Sequence, residues 1–269
     1  MANNRILFVS QEIAPYLPSN ELSTLAKSLP QTIQGKGNDV RTFMPKFGSI
    51  NERRNQLHEV IRLSGLNIEI NGSDHPLILK VASMQPVRIQ VYFIDNDDYF
   101  LKEDDDIDAF GSNRPDNDER AIYFARGTME TVKKLRWEPT IIQCSGWITA
   151  LTPLYMKKKS LEEGLWQDAK IVYCVEPHHP EMAPVNKNLL KNLKDDGFDP
   201  EILKDYEDKE LSVNDLHKIA IDSASGVVFL TDTPDPELLD YVNAKGIPFM
   251  LKEDALKGKE SFLAFYEKI

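Results

Sequence analysis

Cysteine is almost missing. Cys144 and Cys174 are the two thiols in a chain of 269 residues. That is too few for a disulfide framework, so a reducing, cytoplasmic compartment is expected. Long apolar runs are missing too. The first such run, Ile6–Ser10, is too short for a signal-peptide core, and no later one approaches a membrane span. Positive charge is scarce: 32 Lys and Arg face 43 Asp and Glu, a formal net charge of −11. Such a chain repels phosphate backbones unless its bases cluster. The densest basic run, Lys157-Lys158-Lys159, reads as decoration of a helix C-terminus. Neither nucleic acid nor a membrane is therefore an expected partner. Internal repeats and low-complexity tracts are absent as well.

What is present is an ordinary globular composition, 41% hydrophobic, with alternating strand and helix signals. Arg5–Ser10 reads as a buried parallel strand. Leu22, Leu25, Ala26, Leu29 and Ile33 recur at helical spacing, with Pro30 expected to kink the helix and Gly35 and Gly37 to stop it. Asp39–Met44 is the next strand, closed by Pro45, which completes a βαβ unit. Val60–Ile70, Leu77–Met84 and Val87–Ile94 are extended runs with short links. They predict a hairpin-rich excursion over about residues 58–110, ending in an acidic loop, Asn96–Asp108. Beyond it come a helix over Asp118–Trp137, a strand over Pro139–Cys144, a helix over Trp147–Lys158 and a strand over Lys170–Val175. Glu176–Leu211 is polar, punctuated by proline and without strong period. Leu216–Ser223 and Pro236–Ala244 read as helices, Gly226–Thr231 and Ile247–Leu251 as strands, and Lys257–Ile269 as a closing helix. The pattern predicts an α/β fold, a doubly wound parallel sheet forming one domain over 1–269. Ligands of such sheets sit beyond the carboxyl ends of the strands, which singles out the loops Gln11–Glu21, Asp95–Asp118, Ser145–Gly146 and Glu176–Pro184.

Those loops and their flanking elements carry a family resemblance. Ile6-Leu7-Phe8-Val9-Ser10, then Glu12-Ile13-Ala14-Pro15, is similar to the first strand and turn of bacterial glycogen synthases and plant starch synthases. Leu29-Pro30, Gly37-Asn38-Asp39-Val40-Arg41 and Met44-Pro45 follow in register. Asp116-Asn117-Asp118-Glu119-Arg120, Pro139-Thr140-Ile141-Ile142 and Trp147-Ile148-Thr149-Ala150-Leu151-Thr152-Pro153 match further on. The resemblance spans roughly residues 5–235. It implies the N-terminal, Rossmann-like half of a two-domain GT-B glucosyltransferase, and hence a sugar nucleotide and an α-1,4-glucan as ligands. The chain stops after that half, and the second half carries most of the donor contacts.

Within the half, the polar motifs depart from the family's. Its K-x-G-G-L-x-D loop, whose lysine faces donor phosphate, aligns with Pro18-Ser19-Asn20-Glu21-Leu22-Ser23-Thr24. Its H-D-W becomes Ser145-Gly146-Trp147, and the histidine of T-x-H-N becomes Glu176. Lysine to proline and glycine to Glu21 both oppose a bound phosphate. These departures predict a noncatalytic relic that binds a glucan, a small ligand or a protein partner. Two other readings stay open. One is a glucosyltransferase completed by a second chain; the other is a structural subunit that homodimerises through the former interdomain face.

The candidates for substrate binding are Glu12, Ser145, Trp147, Thr149 and Glu176; no catalytic residue, cofactor site or metal site is assigned. Each has a plainer alternative. Glu12 suits a cap of the following turn or helix, and Trp147 suits a wedge between helix and sheet. Glu176, His178 and His179 near Cys174 lack the second spaced cluster of a metal site. Asp104-Asp105-Asp106-Ile107-Asp108 lacks the ligand spacing and glycine of a calcium loop. Cys144 reads as a buried, inert thiol and His217 as a surface or satisfied core histidine.

Overall fold

The computed structural model describes residues 4–34, 37–186, 188–207 and 209–269. Runs of Val, Ile, Leu and Phe buried on both sides make the central strands, as a parallel sheet with two covered faces requires. They are β1 (Arg5–Ser10), β2 (Asp39–Pro45), β7 (Ile141–Ser145), β8 (Lys170–Val175), β9 (Gly226–Phe229) and β10 (Phe249–Leu251). The excursion between β2 and β7 supplies β3 (His58–Glu59), β4 (Leu66–Ile70), β5 (Ser73–Met84) and β6 (Ile89–Asp95). The sheet runs β10-β9-β8-β7-β1-β2-β6-β5-β3, with β4 paired to β5 off that path. Every pairing from β10 to β6 is parallel, and β5 turns antiparallel against β6, β3 and β4.

The longer helices are α1 (Glu21–Gln34), α2 (Asn117–Lys134), α3 (Thr152–Glu163), α4 (Asn188–Asp195), α5 (Val213–Asp222), α6 (Pro236–Ala244) and α7 (Lys259–Lys268). From β1 the chain winds one way to β2, and from β7 it winds the other way through β8 and β9 to β10. Right-handed crossovers then put α1 on one face and α3, α5 and α6 on the opposite one. The reversal lies between β1 and β7, and a doubly wound sheet opens its ligand crevice at that point. α7 returns to the face of α1. Its Phe265 and Ile269 rest on Gly226, where an added Cβ would come within 2.8 Å of both. The Tyr266 hydroxyl donates to Gln143 Oε1 on β7 at 2.5 Å.

Several elements differ from the sequence-based expectation, each for a local reason. α1 continues through Pro30 to Gln34; Gly35, one of its expected stops, lies outside the described residues. Of the run expected over Val60–Ile70 only Leu66–Ile70 is strand, as β4, because a turn at Val60–Ser64 and Gly65 at φ +83° occupy its first half. The hairpin joining β4 to β5 turns at Asn71 and Gly72, both at positive φ, a two-residue turn that matches strand twist. A one-turn helix, Asp97–Phe100, interrupts the acidic loop, capped by Asn96. The helix expected over Trp147–Lys158 opens as a 3-10 turn, Trp147–Thr149, before α3. The polar stretch Glu176–Leu211 contains α4, which buries Leu189 and Leu193 one turn apart.

Arg120 fixes the segment after β6. It is 1% exposed and donates to the carbonyls of Tyr99, Phe110 and Gly111 and to Asn117 Oδ1. Five N–H donors in a planar fork can meet that many acceptors; an ammonium cannot. No described helix is long and apolar enough to cross a membrane.

Candidate functional site

The crevice is built from the carboxyl ends of β1, β7 and β8 and the loops that leave them. Gln11 N donates to Ser145 O at 3.0 Å, and Gly146 N donates to Cys174 O at 3.2 Å, so the three strand ends are laced together. Gly146 sits at φ +88°, where side chains are disfavoured. A Cβ there would stand 2.6 Å from Gln11 Cβ and 2.8 Å from both Gln11 Oε1 and Glu176 Oε2. The glycine is thus the gap through which Gln11 and Glu176 approach each other.

Glu12 and Glu176 are both buried, at 6% exposure each. Glu176 Oε2 has no hydrogen-bond partner. Burial, and then the nearby Glu12 charge, push the Glu176 carboxyl up to about 8. Burial also raises Glu12, opposed by a 2.6 Å hydrogen bond from Asn20 Nδ2. Two carboxyls that share a low-dielectric site do not both ionise readily. At neutral pH Glu176 therefore stands as a carboxylic acid, with one O–H donor and an acceptor.

Asn20 performs two tasks. Its Oδ1 accepts from Ser23 N at 2.8 Å while Ser23 Oγ accepts from Asn20 N at 2.9 Å, a reciprocal cap on the first turn of α1. Its amide nitrogen holds Glu12. Glu21, the first residue of α1, pairs with Lys252 Nζ at 2.5 Å, and Asp232 takes the same ammonium at 2.9 Å. Within this first turn Ser23 N and Thr24 N are bonded to Asn20, and the charge placed on the turn is Glu21's carboxylate.

Beside Glu176, a cleft of about 310 Å³ opens between the ends of β8 and β9 and the helices α5 and α6. His217 forms part of its wall, 1% exposed, with Nδ1 2.7 Å from the Tyr173 hydroxyl and Nε2 unpartnered. Burial holds His217 down at about 3 and lowers His178 as well, so both imidazoles are neutral at pH 7. The cleft offers neutral donors and acceptors next to an acid, Asp235.

Of the candidates from sequence, Glu12 and Glu176 meet at the crevice. Ser145 lies under them at the end of β7 and hydrogen-bonds the Cys174 thiol. Trp147 and Thr149 lie in the 3-10 turn at 1% and 0% exposure. The Trp147 ring is covered, with the Arg120 guanidinium 5.9 Å from its centroid, and Thr149 Oγ1 donates to Gly146 O at 2.8 Å. Cys144 and Cys174 are fully buried, and burial raises both thiols. In the acidic loop, Asp108 Oδ1 accepts from Phe110 N and Ser112 N. Among the described residues no group of three His, Cys, Asp or Glu could hold a metal ion. Sequence reasoning passed over Gln11, Asn20 and Lys252. For Asn20 a signal existed: an Asn three residues before Ser23, opening an apolar-periodic helix, is a cap signature. For Lys252 there was none, since its partner lies 231 positions away (252 − 21).

Comparison with known proteins agrees with this architecture. The family model described as the starch synthase catalytic domain matches residues 5–231. The glycogen synthase of Chlorobium limicola is 34% identical over 174 residues, which is 64% of this chain and 36% of that protein. That of Chlorobaculum tepidum is 31% identical over 240 residues, 88% of this chain and 48% of that protein. The chain thus spans about half the length, or less, of these curated relatives. Among solved structures, the catalytic domain of Starch Synthase IV from Arabidopsis thaliana, bound to ADP and acarbose, superposes with a TM-score of 0.72 at 19% identity. The match covers 94% of this chain and 53% of that one. The chain belongs to the starch synthase catalytic domain family.

Proposed function

We propose that the crevice of this domain is noncatalytic and takes a neutral glucan end, not a sugar nucleotide. The observation that carries this reading is the capped, acidic N-terminus of α1. A helix end binds phosphate when its N–H groups are free and positive charge is near. Here Asn20 caps the turn, Glu21 places a carboxylate on it, and the neighbouring Lys252 is divided between Glu21 and Asp232. By the family resemblance, this is the loop whose lysine and glycines would face donor phosphate. Pro18, Asn20 and Glu21 stand in their place. A neutral polyol meets no such opposition. The protonated Glu176 and the unpartnered Nε2 of His217 supply the hydrogen-bonding groups that sugar hydroxyls pair with.

Native electrophoresis through gels with and without soluble glucan tests the proposal. Retardation by glucan is expected, and its loss in Glu176→Leu, which keeps the bulk and removes the carboxyl. Equal mobility in both gels, or retardation unchanged in the variant, would contradict it.

A further inference from the structure

A second cleft, about 470 Å³, lies between α1, the one-turn helix Glu52–Asn55, β3 and the end of β5, with Pro15 and Tyr16 of the loop after β1 in its wall. None of Gln11, Glu12, Gly146 or Glu176 lines it. Its cations come from two separate elements, Lys27 on α1 and Arg54 on the short helix, with His58 of β3 beside them. No aspartate or glutamate lines this cleft, although the chain carries eleven more acids than bases (43 − 32).

Cations that line other clefts are matched. In a larger cleft, Arg126, Lys158 and Lys159 line the wall and pair with Asp196, Glu162 and Glu163. Lys46 and Lys80, close in sequence to the basic cleft, both pair with Glu52. Lys27, Arg54 and His58 form no ion pair with any described carboxylate. Converging cations without counter-charge raise the local potential and attract an anion. The rest of the wall is of another kind. Asn55, Gln56, Gln85 and Gln90 bring side-chain amides, each able to donate and accept, over a floor of Tyr16 and Met84. The volume lies in the range of small-molecule sites.

We infer that this cleft is a binding site for a phosphorylated sugar of hexose size. Arg54 and Lys27 take the phosphate, Arg54 through its fork and Lys27 as a point charge. The amides take the hydroxyls. The site is independent of the crevice, and the inference stands whether or not the crevice binds glucan.

Calorimetric titration of the full chain at low salt with glucose 6-phosphate, inorganic phosphate and glucose is the test. Binding of the hexose phosphate is expected, weaker binding of inorganic phosphate, and none of glucose. The double substitution Lys27→Ala, Arg54→Ala should weaken the hexose phosphate by about tenfold or more. Both side chains reach solvent, so the fold survives the change, and an unchanged circular dichroism spectrum and thermal midpoint serve as the control for folding. Absence of binding at millimolar hexose phosphate, or affinity unchanged in the double variant, would overturn the site. Equal affinity for inorganic phosphate and the hexose phosphate would overturn the sugar assignment.

Discussion

Glu176 and His217 both line the cleft beside the crevice and titrate in opposite senses. Folded Glu176 holds its proton up to about 8, against an ordinary value near 4.5. As pH rises the unfolded chain releases this proton first. The group therefore contributes stability that is present below about 4.5 and lost as pH rises through 8. Folded His217 stays neutral down to about 3, so its contribution is present above the ordinary 6.5 and lost as pH falls. Denaturant titrations between pH 7 and 8 should show stability falling by about 1 kcal/mol per pH unit from Glu176. Glu176→Gln should remove that slope. A slope that persists in the variant would mean the buried acid is already ionised. Gly146 offers a steric counterpart. At φ +88°, with Gln11 and Glu176 within 3 Å of the missing Cβ, Gly146→Ala should cost roughly 2–4 kcal/mol. A loss below about 0.5 kcal/mol would show that the strand ends are not closely packed around this glycine.

At the scale of elements, the long acidic connection after β6 depends on α2. Four acceptors converge on the Arg120 guanidinium, and burial lowers its pKa only to about 10, so it remains charged at neutral pH. Arg120→Ala leaves buried carbonyls without donors and should cost about 3 kcal/mol or more. Amide hydrogen exchange should rise in Tyr99–Ser112 beyond the rise elsewhere; a uniform rise would mean the residue acts on global stability alone. Much of this layer was legible in the sequence. Strands buried on both faces announce themselves as apolar runs, and β1, β2, β7 and β8 lay within two residues of their expected bounds. α4 was not legible, because eight residues among prolines and charges carry too few turns for a period to emerge from the two leucines that matter. The turn over the first half of the Val60–Ile70 run depended on one glycine's φ.

At the scale of the whole molecule, the doubly wound order and the reversal between β1 and β7 arise from strand, helix and strand alternating along the chain. The loops that bear the crevice could therefore be named in advance. What happens inside it could not. Glu12 with Asn20, Glu176 with Gly146, and Glu21 with Lys252 are tertiary relations, the last between residues at opposite ends of the chain. Sequence shows which side chains replaced the family's motifs. Only the fold shows that Asn20 holds Glu12 and that Glu21 meets Lys252 at the start of α1. The net charge of −11 adds a general opposition to anions, against which Lys27 and Arg54 line a cleft that has no acidic residue in its wall.

Isothermal titration of the chain with ADP-glucose, read alongside the Lys27→Ala, Arg54→Ala variant to silence the basic cleft, tests the exclusion of sugar nucleotide from the crevice most directly. The variant should release no binding heat with the nucleotide sugar. Micromolar affinity in that variant would contradict the proposal, because it would place a working donor-phosphate site on an α1 terminus occupied by Asn20 and Glu21.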